Sequence, residues 1–136
     1  MNMKKIISLI FVCFFCLVSY AEVVKWRTNS IAYRFRSEDT GQWQDWGDWE
    51  ECKVLILVDL DRDVIRIYSQ ETQEYDVISD EEEESDSEST SFYYNCIDKE
   101  GNNCQMRLRV YNDPSYGSQL YVAYDDVAWV YAFDVE

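Results

Sequence analysis

The chain has 136 residues with 12 basic and 27 acidic side chains and no histidine, which gives a formal net charge of −15 at pH 7. This charge repels nucleic-acid phosphates and anionic lipid, so we expect no nucleic-acid partner. The lack of histidine excludes Ser-His and Cys-His nucleophilic centres and histidine zinc sites.

Residues 1 to 21 are organised like an export signal. Lys4 and Lys5 precede an apolar stretch over residues 6 to 18, and Ser19 and Ala21 place small side chains at the positions that determine cleavage. A stretch of about a dozen apolar residues is too short to span a bilayer. We predict a signal peptide over residues 1 to 21 and a single mature domain over residues 22 to 136. The predicted location is secreted or periplasmic, without membrane insertion once the signal is removed.

Apolar and polar side chains alternate with a period of two from residue 31 to the C-terminus, which is typical of β-strands. We predict about eight strands, over residues 31–35, 53–59, 64–69, 75–79, 92–97, 105–111, 120–124 and 127–135. Short turns join most of them. The predicted fold is therefore all-β, an antiparallel meander that closes as a small barrel or folds over as a two-sheet sandwich.

Trp43, Trp46 and Trp49 recur every third residue in the segment before the second predicted strand. A spacing of three cannot place three side chains on one face of a regular strand, so at least one indole should lie on a bulge or loop. Indoles offer large rigid faces for sugar rings or protein side chains, and Asp45 and Asp48 lie between them. We predict that these five residues bind a partner. The alternative is that the indoles cap an open end of the β core.

The tryptophan spacing resembles the Trp-x-x-Trp-x-x-Trp-x-x-Cys motif of thrombospondin type 1 repeats, with Cys52 as the cysteine. In that family the indoles stack in layers, and alternating arginines of a later strand supply their partners. Here residues 53 to 57 are Lys-Val-Leu-Ile-Leu. The resemblance is therefore confined to residues 43 to 52 and implies no kinship.

Two acidic segments are predicted to form loops or turns without a metal ion. Residues 80 to 91 contain seven acids, four serines, one threonine and no apolar residue. Such a run has no apolar area to offset the entropy of ordering, so we predict a flexible acidic loop. Asp59, Asp61 and Asp63 resemble the start of an EF-hand loop, but Val64 stands where that loop requires glycine, which favours a simple turn. We predict no metal site and no cofactor.

Three of the five cysteines lie after the predicted signal. Cys96 and Cys104 flank a turn-rich run, and the alternation in the strands on either side places both side chains on the core face of one hairpin. We therefore predict a Cys96–Cys104 disulfide in an oxidising compartment. Cys52 is then either a buried thiol or a link to another molecule.

The overall plan, a lysine-led signal before a compact Trp- and Tyr-rich β domain, resembles small exported β-domain proteins of Bacteroidetes-type bacteria. That resemblance implies an extracytoplasmic location and no particular activity. We predict a non-enzymatic binding domain, without catalytic residues, that recognises a protein or glycan partner through the tryptophan cluster. The acidic charge favours a basic partner. Two alternatives stay open: a lipocalin-like barrel that carries a small apolar ligand, and a glycoside hydrolase built on paired carboxylates.

Overall fold

A computed structural model describes residues 23 to 133 of the chain, and these residues form β-strands joined by turns and loops. The predicted signal peptide lies outside the described residues, as do the last residues of the predicted final strand. Within residues 23 to 133, no helix is long and apolar enough to cross a membrane.

The described residues form ten strands: β1 Val23–Phe35, β2 Glu50–Glu51, β3 Leu55–Asp59, β4 Val64–Tyr68, β5 Thr72–Asp80, β6 Glu84–Ser85, β7 Ser89–Asp98, β8 Asn103–Tyr111, β9 Gln119–Ala123 and β10 Val127–Phe133. All except the two-residue β2 and β6 form a closed antiparallel barrel, in which neighbouring strands follow one another along the chain and β10 pairs with β1. The prediction of an all-β fold is confirmed, and of the two predicted architectures the structure shows the barrel. Each of the eight predicted strands matches one strand of the barrel wall.

The barrel interior is filled by side chains from alternate positions of its strands. Ile56 lies opposite Ile67 across β3 and β4, and Met106 lies opposite Val122 across β8 and β9. All four side chains are 0% exposed. An eight-stranded barrel has an interior just wide enough for side chains to fill, and burial of each large apolar side chain stabilises the fold by about 1.5–3 kcal/mol.

Strand β1 begins eight residues earlier than predicted and closes the barrel. Its first part, from Val23 to Arg27, pairs with β3, and the rest, from Thr28 to Phe35, pairs with β10. The sequence carries a signal for this extension, because Trp26 stands between the charged Lys25 and Arg27 in strand-like alternation.

The acidic segment over residues 80 to 91 differs from the predicted loop at both ends. It begins in the last residue of β5 and ends in the first residues of β7, with the short β6 paired to β7 between them. Ser89 and Ser91 are buried, and their hydroxyls accept hydrogen bonds from the Nε groups of Arg109 and Arg107. These bonds satisfy the hydroxyl groups of both buried serines. Flexibility of the segment stays a prediction.

The hairpin of β7 and β8 places Cys96 directly opposite Cys104, as the sequence phase predicts. Both side chains are buried and both thiols are free, so the predicted disulfide is not formed in this structure. Residues that face each other across antiparallel strands have Cα atoms about 4.5–5.5 Å apart, which lies inside the range found in disulfides. The third thiol, Cys52, is half-buried, and burial raises its pKa.

Candidate functional site

The predicted tryptophan cluster lies in a segment, residues 42 to 52, that runs back along the edge of β1 opposite β10. Three pairings hold it there: Gln44 N donates to Phe35 O at 2.8 Å, Gly47 N donates to Tyr33 O at 2.8 Å, and Glu50 lies opposite Ile31. The segment therefore advances three residues for every two residues of β1. This register accounts for the three-residue tryptophan spacing, and it places Trp46 and Trp49 outside regular strands, as the spacing predicts.

Arg34 of β1 lies between two of the three indoles. Its Cζ atom is 4.9 Å from the centroid of Trp43 and 4.7 Å from that of Trp46. A guanidinium stacked on an indole within about 6 Å stabilises a protein by about 0.5–2 kcal/mol. The Nε atom of Arg34 is buried without a hydrogen-bond partner, so stacking compensates for lost hydration at this atom. The sequence pattern did not point to Arg34, because the thrombospondin motif places its arginines after the tryptophans, whereas Arg34 precedes them.

The stack continues over the wall formed by β9, β8 and β7. Trp46 meets the ring of Tyr121 edge-on, with 5.9 Å between centroids. Arg107 lies over Tyr121 at 5.1 Å and over Tyr93 at 5.7 Å. We name these contiguous residues the arginine–aromatic ladder: Trp43, Arg34, Trp46, Tyr121, Arg107 and Tyr93.

Small side chains lie between the two halves of the ladder. Ala32, Ala128 and Val130 alternate with core residues and so face outward, yet they are 1%, 3% and 3% exposed. Val130 lies opposite both Ala32 and Tyr121, which places it under the middle of the ladder. The tryptophan segment therefore covers an outer patch of the barrel, with Trp43 and Trp46 packed against Arg34.

Trp49 differs from the other two tryptophans. It is 50% exposed, whereas Trp43 and Trp46 are half-buried within the ladder. Asp45 and Asp48 are exposed in the same segment. The structure thus brings Trp43 and Trp46 together through Arg34 and leaves Trp49 outside the ladder, between the exposed Asp48 and Glu50 in the sequence.

Two aromatic side chains of β1 are exposed, although the strand pattern did not mark them as site residues. Tyr33 is 40% exposed and Phe35 is 54% exposed, and both lie on one face near the end of β1. Burial is the main cause that raises the pKa of Tyr33, followed by nearby Cys52 and Glu50, which places Glu50 close to Tyr33. We name these exposed aromatic residues, Tyr33 and Phe35 of β1 and Trp49 of the segment paired with β1, the aromatic edge.

A polar cavity of about 240 Å³ lies where β5 begins and where β7 meets β8. Tyr124 donates to Asp98 Oδ2 at 2.7 Å, which is the main cause that lowers the pKa of Asp98. A hydrogen bond from Arg66 likewise lowers the pKa of Glu74 in the same cavity. A glycosidase general acid needs a raised pKa, so these two carboxylates do not suit that role.

The acidic turn after β3 carries no cluster suited to a metal ion. Asp59 Oδ1 accepts a hydrogen bond from Arg62 N at 3.2 Å, as in an ordinary polar turn. Across residues 23 to 133, no three cysteine, aspartate or glutamate side chains lie close enough together to hold a metal ion.

Comparisons of the chain with protein-family models, with curated proteins and with solved structures find no match.

Proposed function

We propose that this protein is a secreted or periplasmic, non-enzymatic binding domain that recognises a protein or glycan partner through the aromatic edge. The observation that carries this proposal is the 50% exposure of Trp49 beside a ladder that holds the other two indoles. An indole left in water forgoes about 1.5–3 kcal/mol of burial, and exposed aromatic groups are typical of binding surfaces.

The aromatic edge also has a rigid base, which supports a role in recognition. Tyr33 and Phe35 belong to a strand that pairs with β10, and their carbonyls accept the hydrogen bonds that fix the tryptophan segment. A partner would meet side chains that are already positioned, so less conformational entropy is lost on binding.

The test compares Trp49→Ala with Trp46→Ala. Trp49→Ala is expected to abolish capture of a partner from extracellular material and to leave the melting temperature within a few degrees. Trp46→Ala removes a half-buried ring from the ladder, so it should lower the melting temperature. Unchanged capture by the Trp49→Ala protein, at unchanged stability, would contradict the proposal.

A second candidate is carriage of a small apolar ligand, because a closed eight-stranded barrel is compatible with it. This function needs an interior cavity, and fully buried Ile56, Ile67, Met106 and Val122 occupy the interior. A rise in Nile red fluorescence that a fatty acid reverses, and that Trp49→Ala does not affect, would favour the carrier over the binding domain.

We further propose that the exported protein carries a Cys96–Cys104 disulfide. Export places the two facing thiols in an oxidising compartment, where a disulfide-exchange partner converts two thiols into one disulfide and is itself reduced to two thiols. Peptide mapping without reduction of protein isolated after export should recover a linked Cys96–Cys104 peptide. A linked peptide containing Cys52 would overturn this pairing.

A further inference from the structure

We propose that Trp49 receives a guanidinium or ammonium group from a basic segment of a partner protein. This inference rests on the proposed function and narrows it from any protein or glycan to one class of partner. It follows from the register of the tryptophan segment on β1 and from the charges beside Trp49.

The register shows which indole lacks a cation from its own chain. Next to the tryptophan segment, Arg36 follows β1 and bridges to Trp43, and the outward positions of β1 are then Arg34 and Ala32, in order toward Trp49. Arg34 fills the space between Trp43 and Trp46. The next outward position is Ala32, which is 1% exposed and whose methyl group supplies no charge. Among residues 23 to 133, the cation–π contacts of tryptophan are those of Arg34 with Trp43 and Trp46.

The chain itself uses this kind of contact repeatedly on its surface. Besides Arg34, Arg107 stacks on two tyrosines, and Arg109 lies over Tyr111 at 4.7 Å. An arginine from a partner, stacked on Trp49, would extend the same arrangement across the interface.

The charges beside Trp49 complement a cation. Asp48 and Glu50 flank it in the sequence and are exposed, and Glu51 follows. Glu51 meets Lys53 at 3.9 Å, but both side chains are largely exposed, so this pair is weak and leaves Glu51 open to a competing cation. A partner cation would therefore gain ion pairing with these carboxylates together with stacking on the indole of Trp49.

The same charges distinguish a basic protein segment from a neutral glycan. Carboxylates hydrogen-bond to sugar hydroxyls, but a neutral sugar gains nothing from the net negative charge of the chain, which is −15. A basic segment gains from each exposed carboxylate and is also attracted at long range. The observations therefore favour the basic segment.

The experiment measures binding of a tetra-arginine peptide by calorimetry at physiological salt. Trp49→Ala is expected to weaken binding by about tenfold, whereas Trp49→Phe, which keeps an aromatic face, should retain most of the affinity. Removal of the two flanking charges by Asp48→Asn with Glu50→Gln should also weaken binding.

The matched control is Asp61→Asn with Glu82→Gln, which changes the net charge by the same amount. Both residues are exposed and lie at the other end of the barrel, where β3 and β5 end. We expect the control to reduce affinity by less than about twofold, because distant surface charges are screened by salt. Equal losses in the flanking-charge and control variants, with no loss for Trp49→Ala, would show that net charge alone attracts the peptide and would overturn the inference.

Failure of this inference is distinguishable from failure of the proposed function. If Trp49→Ala abolishes partner capture but the peptide does not bind, the binding domain stands and the cationic partner is wrong. Trp49-dependent binding of a neutral oligosaccharide such as maltohexaose, without peptide binding, would assign the aromatic edge to glycan and would also overturn the inference. If Trp49→Ala affects neither measurement, both proposals fail.

Discussion

The inside of the barrel and the outer patch beneath the tryptophan segment are both shielded from water, but by different interactions. Inside, apolar side chains such as Ile56 and Met106 fill the space and are 0% exposed. Outside, Arg34 stacks on the indoles of Trp43 and Trp46, Ala32 is 1% exposed, and the ladder residues stay partly exposed. Hydrophobic burial is non-directional, whereas stacking depends on where each ring and cation lies.

This difference separates the parts of the molecule that stabilise it from the part available for binding. Interior side chains contribute by the area they remove from water, so losing one leaves a cavity. Ladder side chains contribute less each, because they remain in contact with solvent. Trp49 lies beyond the ladder and should contribute least to stability.

The largest expected effect comes from the interior. Met106→Ala should lower the free energy of unfolding by about 2–5 kcal/mol, because the side chain is fully buried inside the barrel and its loss leaves a cavity. Urea titration of both proteins measures the change. Met106→Leu nearly conserves volume and should cost less than about 1.5 kcal/mol. A loss below about 1 kcal/mol for the alanine variant would indicate an interior that collapses or is loosely packed.

The second effect is a loss of stability at alkaline pH. Burial raises the pKa of Tyr131 to about 12 from an ordinary value of 10.0. The buried neutral hydroxyl of Tyr131 contributes fully to the free energy of unfolding below pH 10. This contribution is lost as the pH rises toward 12, because Tyr131 ionises in the unfolded state before it ionises in the folded state. The loss from this group is about 2–3 kcal/mol. Tyr131→Phe should flatten the fall in unfolding free energy over this range, and an unchanged slope would contradict burial of this hydroxyl.

The ladder should show an intermediate effect. Arg34→Met keeps the length of the side chain but removes the cation, so we expect a loss of about 1–2 kcal/mol and a changed near-ultraviolet circular dichroism of the indoles. Arg62→Met, at a side chain that is 76% exposed, is the matched control and should change stability by less than about 0.5 kcal/mol. Equal effects of the two substitutions would mean that the stack does not hold the segment.

The smallest effect is expected from Asp98 at the polar cavity. Hydrogen bonds from Tyr124 and from backbone groups of the hairpin turn lower its pKa below the ordinary 3.8. Ionised Asp98 therefore stabilises the folded state when the pH is above the ordinary pKa of 3.8, and this stabilisation is lost as the pH falls through the lowered pKa of the folded state. Asp98→Asn should therefore make stability slightly less sensitive to pH below about 4. Acid titration followed by circular dichroism measures this, and an unchanged acid profile would remove Asp98 as a contributor.

Much of the fold follows from local patterns that need no knowledge of the partner strand. The alternation in β8, with Met106 and Leu108 inward and Arg107 outward, identifies both the strand and its buried face. The phase of Cys96 and Cys104 likewise identifies the hairpin register, although the thiols are free in the structure. The candidate site was found only in part, because the tryptophan spacing predicted an irregular segment but not its partners.

The sequence by itself determined the all-β class, the eight strands and the core face of the hairpin of β7 and β8, because a period of two places alternate side chains on opposite faces whatever the strand pairs with. Only the tertiary structure decided that β1 pairs with β10, which brings Thr28 opposite Phe133 and closes a barrel instead of a sandwich. The same closure sets β1 between β10 and the tryptophan segment, where Arg34 separates Trp43 from Trp46 and Trp49 stays exposed. Such pairings join residues far apart in the chain, and no local periodicity encodes which strands meet.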